Sequence, residues 1–335
     1  MTTRTVLAGD IGGTHARLAR FEVADGPDPT YRLVDEWTAD SPDYDGPATI
    51  VWKYLEARRL TPTDLDGVCV AIAGPIRDGT LHVPNLGWTL DTERFGDEIG
   101  VPGATLINDF AAIGHGVLAL DATDYEEIQG GVAREAAPVA VLGPGTGLGH
   151  AFLIWEAGSY HVYPSEGGHV DFAARNETEW ALAEHLRQRY GHASWERVVS
   201  GPGLLDVYRF LAQREPAAES EHVRREIDAG DGPAVISHHG TRRTDALCSE
   251  ALALFVSSLG TVAGNIALTL EAYGGVYIAG GIAPRIVDAL KAGPFLDAFR
   301  AKGRVSELLE DIPVRVVLDE RVGLRGAARV AARGR

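Results

Sequence analysis

The sequence predicts an α/β protein built from two similar lobes, and three observations support this fold class. Near the N-terminus a buried strand runs into a Gly-Gly-Thr turn and a returning strand. The same order recurs about 130 residues later, where another apolar strand meets a second glycine-threonine turn. Alternating strands and helices fill the remaining chain. At 335 residues, the chain is long enough for two lobes.

The expected elements of the first half follow directly from periodicity and turn residues. In the first helix, Ile50, Val51, Tyr54 and Leu55 share one face. Pro27, Asp28 and Pro29 mark the turn before the third strand. The predicted elements are strands over 6–8, 16–23 and 31–38, a helix over 47–58, a strand over 68–73, a hairpin at 78–79, a loop over 84–88, a short helix over 92–99, a strand over 104–107 and a helix over 110–118.

The second half repeats the opening pattern and then becomes mainly helical. The predicted elements are strands over 138–142, 150–155 and 160–163, helices over 177–190, 203–213 and 245–273, a βαβ pattern over 275–290 and 314–318, and a C-terminal helix from about 323. Residues 251–270 carry no charge and contain a Gly-x-x-x-Gly pattern, as a membrane span does. Polar residues dilute this segment and Glu271 follows it, which favours a buried central helix.

Composition excludes some partners. The formal net charge of −16 argues against nucleic acid or an anionic membrane as a bulk partner. An anionic substrate would need a local pocket of backbone N–H groups and helix N-termini.

Cys69 and Cys248 lie in apolar runs without zinc-ligand spacing, which indicates buried thiols in a reducing cytosol. Met1 leads straight into a strand without a signal-peptide pattern, so we expect a cytoplasmic protein.

Two glycine loops are candidate phosphate sites. The first consists of Gly9, Asp10, Ile11, Gly12, Gly13 and Thr14. Its glycines let backbone N–H groups approach an anion, and Asp10 is placed to sit beside a phosphate-bound Mg²⁺ through water. The second loop, residues 143–149, contains Gly145, Thr146 and Gly147. A tight hairpin turn and a flexible turn without ligands are the alternatives.

Asn108 and Asp109 lie where a buried strand ends and a helix begins, the position at which α/β proteins bind ligands. Asp109 is a candidate general base for a hydroxyl proton, and Asn108 is a candidate for holding a neighbouring hydroxyl. The alternative is that Asp109 is an ordinary N-cap.

Three further polar residues favour a neutral polyol as ligand. Glu166 accepts hydrogen bonds from hydroxyls, His169 either donates or accepts them, and Glu196 is another candidate acceptor. Metal ligation is the weaker alternative because the sequence offers no convincing third ligand. Gly280 and Gly281 end a strand, and they indicate either close approach to a flat ligand such as a purine or a simple turn.

Taken together, these motifs resemble the bacterial glucokinase family of the actin-like ATPase superfamily, over nearly the whole chain. The segments that carry the resemblance are 9–14, 108–110, 145–149, 166–172, 196–198, 200–204 and 278–282. The resemblance implies a two-lobed actin-like ATPase (ribonuclease H-like) fold with the active site in the cleft between the lobes. It implies a small lobe of residues 1–118 plus about 320–335 and a large lobe of 119–319.

The resemblance also implies ATP-dependent phosphorylation of D-glucose at O6, with Mg²⁺ accompanying ATP. The implied general base is Asp109, and the implied hydroxyl ligands are Asn108, Glu166, His169 and Glu196. The two loops would bind the ATP phosphates, and Gly280-Gly281 would abut the adenosine. A homodimer is expected.

Two positions depart from the family pattern. His15 stands where asparagine is more common, and Pro144 occupies a place that is usually small. The zinc motif of related repressor-kinases and a preceding DNA-binding helix-turn-helix are both absent, which argues against a sugar-responsive repressor. The remaining alternatives are a kinase for mannose, fructose or an amino sugar, and a non-catalytic actin-like ATP-binding protein.

Overall fold

The computed structural model describes residues 3–24, 26, 29–83 and 85–333. These residues form two compact units, one comprising the chain up to Asp121 and again from Asp319, the other Ala122–Leu318. The predicted turn residues Pro27 and Asp28, and Pro84 of the predicted loop, lie outside the described residues.

Fourteen strands are present in the described residues. They are Thr3–Ile11 (β1), His15–Ala24 (β2), Thr30–Asp40 (β3), Gly67–Ile72 (β4), Ile76–Arg77 (β5), Thr80–Val83 (β6), Trp88–Asp91 (β7), Thr105–Asn108 (β8), Tyr125–Gln129 (β9), Val139–Pro144 (β10), Leu148–Glu156 (β11), Ser159–Ser165 (β12), Gly275–Ile278 (β13) and Val314–Val317 (β14).

Twelve α-helices accompany them over the same described ranges. They are Pro47–Arg58 (α1), Phe95–Ile99 (α2), Asp109–Val117 (α3), Glu177–Tyr190 (α4), Gly201–Arg214 (α5), Glu221–Ala229 (α6), Gly232–Arg242 (α7), Ala246–Leu270 (α8), Val287–Lys291 (α9), Pro294–Arg300 (α10), Glu307–Glu310 (α11) and Val322–Arg333 (α12).

The first unit is organised around a five-stranded sheet in the order β3-β2-β1-β4-β8. β1 pairs antiparallel with β2 and parallel with β4, so the predicted N-terminal hairpin and meander are confirmed. Because side chains alternate along a strand, Leu7 and Ile11 pack with α1 on one face of the sheet. Val6 and Ala8 pack with α12 on the other face.

The second unit repeats this topology. Its main sheet has the order β12-β11-β10-β13-β14-β9, in which β10 pairs antiparallel with β11 and parallel with β13. The predicted repetition is therefore present as a β-meander followed by two parallel strands, with β9 added at the far edge. Both predicted thiols, Cys69 and Cys248, are buried.

Helix α8 is the centre of the second unit. Within the described chain it is long and apolar enough to cross a membrane by length and composition alone, yet 67% of its most apolar window is buried. A Cβ added at Gly260 would lie 2.1 Å from the Phe295 carbonyl oxygen, and one at Gly264 would lie 2.3 Å from that of Phe299. The small residues thus let α10 pack closely on α8, as the prediction of a buried helix requires.

Several elements differ from expectation. The predicted loop over 84–88 ends in β7, where Trp88 pairs with Val83. Strand β9 is not among the predicted elements; two of its five residues are charged, as is common at a sheet edge. Helices α6, α7, α10 and α11 were also not expected, and the helix predicted from 92 begins only at Phe95.

A partly buried histidine in the first unit gives a testable pH dependence. Among the described residues, Nδ1 of His115 on α3 has no hydrogen-bond partner. Burial, with Arg333 and Arg329 nearby, lowers the pKa of His115 to about 4. As pH falls below about 6.5, His115 binds a proton in the unfolded chain but stays neutral in the folded protein. The free energy of unfolding therefore decreases with falling pH until pH approaches about 4.

Between about pH 7.5 and about pH 5, we therefore expect the free energy of unfolding to fall by about 2 kcal/mol more for the wild type than for His115→Gln. Urea unfolding across this range measures the difference. His161→Gln, at an exposed position on β12, is the matched control. Equal pH dependence of wild type and His115→Gln would contradict the assignment.

Candidate functional site

The first glycine turn joins β1 to β2 and is anchored at its base. Gly12 N–H donates to the His15 carbonyl at 2.9 Å, and Ser41 N–H donates to the Thr14 carbonyl at 2.9 Å. Nδ1 of His15 lies 2.9 Å from Oδ1 of Asp40. Gly13 and Thr14 are exposed between these anchors. The turn therefore presents backbone to solvent in a fixed position.

Asp10, which was expected in the first glycine loop, lies in β1, two residues before the turn. Its Oδ2 accepts a hydrogen bond from Arg17 at 2.7 Å, and the side chain is partly exposed. Neither Gly9 nor Ile11 presents a side chain at the turn. A Cβ at Gly9 would meet Leu18 and Val70 within 3 Å, and Ile11 is buried in the core.

Asn108 and Asp109 occupy the junction of β8 and α3, as predicted. The N-cap is Asn108 and not Asp109, because Oδ1 of Asn108 accepts from Phe110 N–H at 2.9 Å and from Ala111 N–H at 3.1 Å. Nδ2 of Asn108 donates to the Gly74 carbonyl at 3.1 Å. Asp109 is the first helical residue, and its Oδ1 accepts from Phe110 N–H at 2.9 Å.

In the second unit the structure brings Glu166, His169 and Glu196 together. Nε2 of His169 lies 3.9 Å from Oε2 of Glu166, and Nδ1 lies 3.8 Å from Oε1 of Glu196. The Glu166 and His169 side chains are more than half exposed. No group of three acids, histidines or cysteines within the described residues has metal-binding geometry. This cluster suits a hydroxyl-rich ligand, since it offers two acceptors and an imidazole.

Glu196 also holds the second glycine turn. Its Oε2 accepts a hydrogen bond from Leu148 N–H at 3.0 Å. A Cβ at Gly147 would lie 2.5 Å from the same oxygen, so only glycine lets the carboxylate approach this closely. The turn is shorter than the predicted loop over 143–149, because β10 extends to Pro144 and β11 begins at Leu148.

The same turn lies against the N-terminus of α5. Gly201 N–H donates to the Gly145 carbonyl at 2.8 Å, and Gly145 N–H donates to the Gly147 carbonyl at 2.8 Å. Ser200 caps α5 by accepting from Gly203 N–H. The N-terminal end of a 14-residue helix carries partial positive charge, which favours an anion at this position.

Gly280 and Gly281 follow β13 and adjoin the end of β10. Gly280 has φ +81°, and a Cβ there would lie 2.6 Å from the Pro144 carbonyl oxygen. That oxygen also accepts from Ile282 N–H at 3.3 Å. A Cβ at Gly281 would meet no atom of the described residues within 4 Å. Gly281 therefore exposes backbone, whereas Gly280 is required by packing.

A cavity of about 630 Å³ opens beside these glycines. Its wall is formed by the second glycine turn, the start of α5, one face of α7 and the segment after β13. The lining residues are Gly145, Thr146, Gly201, Pro202, Asp231, Pro233, Ala234, Ser237, His238, Thr241, Arg242, Gly281, Ile282 and Arg285. Its size is that of a small-molecule site.

The contribution of α7 to this cavity was not predicted. Arg242 donates to Nε2 of His238 at 2.8 Å, so this nitrogen acts as an acceptor. Arg242 and Arg285 place two positive charges on the wall of the cavity. A helix-start pattern, Asp231-Gly232-Pro233, was present in the sequence and could have identified α7.

The double contact of Glu196 predicts a stability difference within the cluster. Glu196→Ala leaves Leu148 N–H without its acceptor, so we expect a loss of about 1–2 kcal/mol in unfolding free energy. The control is Glu166→Ala at the exposed position, expected within about 0.5 kcal/mol of wild type. Denaturant unfolding of both variants measures this, and equal losses would contradict the structural role of Glu196.

Comparison with known proteins identifies relatives over the whole length. The glucokinase family model matches residues 7–334. A glucokinase of Nostoc sp. is 42% identical over 341 aligned positions, which cover 98% of this chain and 99% of the relative.

Solved structures agree with this. A glucokinase from an Antarctic psychrotroph superposes with a TM-score of 0.83 at 32% identity, covering 98% of this chain and 99% of that one. A glucokinase of Balamuthia mandrillaris, solved in complex with glucose, has a TM-score of 0.78 at 25% identity and coverages of 98% and 94%. The predicted α/β, actin-like ATPase fold class is thereby confirmed.

Proposed function

The chain belongs to the glucokinase family, and we propose that it transfers the γ-phosphoryl group of ATP to O6 of D-glucose. The products are glucose 6-phosphate and ADP. The observation that carries the proposal is the double role of Glu196, which contacts a polyol-type cluster through Oε1 and a glycine turn through Oε2. In this proposal one carboxylate thus contacts both the group that binds hydroxyls and the turn that binds phosphate.

Glucose hydroxyls are held by carboxylate, imidazole and amide groups. Glu166 and Glu196 accept from hydroxyls, and His169 donates or accepts according to its tautomer. Asn108 uses Oδ1 for the α3 cap and one hydrogen of Nδ2 for Gly74, so its second Nδ2 hydrogen is the group left for a sugar oxygen. Such directional contacts are what distinguish one sugar epimer from another.

The nucleotide is bound through backbone groups and two arginines. The turn Gly145–Thr146–Gly147 and the N-terminus of α5 receive phosphate oxygens, and Gly12, Gly13 and Thr14 provide a second phosphate-binding turn. The 630 Å³ cavity receives the nucleoside, with the exposed backbone of Gly281 on its wall. Arg242 and Arg285 offset the negative charge of the nucleotide.

Asp10, which precedes the first turn, fits the role of a water-mediated ligand of Mg²⁺. The ion commonly uses one or two carboxylates together with substrate phosphates, and Asp10 supplies one partly exposed carboxylate. The Arg17 contact orients that carboxylate. When bound, Mg²⁺ neutralises charge on the phosphates.

Asp109 acts as the general base. O6 attacks the γ-phosphorus, the new O6–P bond forms as the bond to the β,γ-bridging oxygen breaks, and ADP leaves with that oxygen. The O6 proton passes to the Asp109 carboxylate late in the transfer, because little charge develops on O6 in a loose transition state. The hydrogen bond from Phe110 N–H orients Oδ1 of Asp109 for this role.

The two described units are proposed as the two lobes of the enzyme. We further propose a cytoplasmic homodimer, on the basis of the family resemblance. Size-exclusion chromatography with light scattering tests the dimer directly, and a monomer mass of 35.8 kDa in solution would contradict it.

The general base is tested by Asp109→Asn, which keeps the shape of the side chain and removes its basicity. We expect kcat to fall at least about 100-fold while the Kd for ATP changes less than about 3-fold. Coupled ADP release and calorimetric ATP binding measure these quantities. Asp97→Asn, at an exposed position on α2, is the control for loss of an acid. Near-wild-type turnover in Asp109→Asn would eliminate Asp109 as the base.

The acceptor is tested with a sugar panel of glucose, mannose, fructose and glucosamine. We expect glucose to give the highest kcat/KM, by at least about 10-fold, because the cluster recognises individual hydroxyls. Phosphate position in the product is read by NMR. A higher kcat/KM for another hexose would reassign the substrate. ATP hydrolysis that no sugar stimulates would indicate a non-catalytic ATP-binding protein.

A further inference from the structure

We propose that His150 is a positioning residue for the sugar site, whose buried ring supports the turn carrying Glu166 and His169. His150 lies on β11, two residues after Leu148, and pairs with Ser165 of β12. The inference rests on the proposed function, since it assigns His150 to the glucose site of that enzyme. His150 is buried, so the proposal assigns it no direct contact with either substrate.

The first observation is the contact between the His150 ring and Gly167. A Cβ added at Gly167 would lie 2.3 Å from Nδ1 of His150 and 3.1 Å from Cε1. Gly167 does not have a positive φ, so its backbone would accept any residue. The His150 ring, together with Oγ of Ser165 at 3.3 Å, therefore occupies the space that a side chain at position 167 would need. The ring packs directly against Gly167, in the space that a side chain at this position would fill.

The second observation is that β11 supports the neighbouring glycine as well. A Cβ at Gly168 would lie 2.1 Å from the Leu148 carbonyl oxygen. The turn is tied down at its start, because Gly167 N–H donates to Oγ of Ser165 at 3.1 Å. It is tied down again where Glu196 N–H donates to the Gly168 carbonyl at 2.9 Å. The turn thus rests on alternate residues of one strand.

The third observation is the state of the ring. His150 is 2% exposed, and its Nε2 has no hydrogen-bond partner within the described part of the chain. Burial lowers the pKa of His150 to about 4, so the ring is neutral at neutral pH. A buried nitrogen without a partner is unfavourable for folding and calls for an explanation. Support of the turn that carries Glu166 and His169 provides one.

The consequence concerns sugar affinity more than nucleotide affinity. Glu166 and His169 flank the Gly167-Gly168 pair, so a shift of the pair moves both side chains relative to Glu196. A displacement near 1 Å is enough to weaken hydrogen bonds that require about 2.7–3.2 Å. The second glycine turn has contacts of its own, from Leu148 N–H to the Glu196 carboxylate and from Gly201 N–H to the Gly145 carbonyl, so we expect ATP binding to change little.

A double-mutant cycle with Gly167→Ala, His150→Ala and the double variant tests the inference. We expect Gly167→Ala to raise the KM for glucose about 10-fold or more, and His150→Ala to raise it about 3- to 10-fold. In the double variant the added methyl group occupies space vacated by the ring, so the KM for glucose falls below that of Gly167→Ala. The KM for ATP changes less than about 2-fold throughout.

The control is His185→Ala on α4, which also has a buried Nε2 without a partner among the described residues. We expect it to lower stability and leave the KM for glucose unchanged. If His150→Ala does not fold, as judged by circular dichroism, His150→Val repeats the cycle with a residue suited to a strand.

Two outcomes would overturn the assignment of His150. One is additive effects of the two substitutions on the KM for glucose. The other is an equal rise in the KM for ATP, which would mean that His150 supports the fold generally. Wild-type protein that releases no ADP in response to glucose would instead defeat the proposed function, so the two failures are distinguishable.

Discussion

The hydrogen bond from Leu148 N–H to the Glu196 carboxylate is the interaction on which the site in the second unit depends. It joins a strand end to a residue 48 positions away, and the other carboxylate oxygen faces His169 at 3.8 Å. The Glu196 side chain is 22% exposed, so the bond is partly shielded from water and stronger than a surface contact. One side chain therefore contacts both the Glu166–His169 cluster and the second glycine turn, through different carboxylate oxygens.

Close approach, more than flexibility, explains the glycines around this bond. Gly147 is needed because the Glu196 oxygen occupies the place of a Cβ, and Gly280 because the Pro144 carbonyl does. Gly281, by contrast, opens onto the 630 Å³ cavity and exposes its backbone. A glycine-rich sequence therefore combines two physical roles, packing and ligand access, which only the structure separates.

Local patterns in the sequence were sufficient for elements whose burial is periodic. The helix expected over 47–58 is α1, because Pro47 begins it and its apolar residues recur with helical spacing. The sequence leaves open whether Asp109 caps α3, and the structure gives that role to Asn108, since both residues are good N-caps and only the strand end decides between them. The Leu148–Glu196 hydrogen bond cannot be predicted from the sequence, because a backbone-to-side-chain contact across 48 residues produces no periodic pattern.

Electrostatics reconcile a net charge of −16 with an anionic nucleotide. At about 0.1 M salt the Debye length is about 10 Å, so distant surface carboxylates are largely screened from a bound phosphate. Charges within that distance decide at the proposed nucleotide site, and the cavity wall carries Arg242 and Arg285 against one acid, Asp231. The N-terminus of α5 adds partial positive charge beside Gly145. For the proposed nucleotide site we therefore expect the acidic surface to lower the association rate more than the affinity, since steering acts at long range and these contacts act at short range.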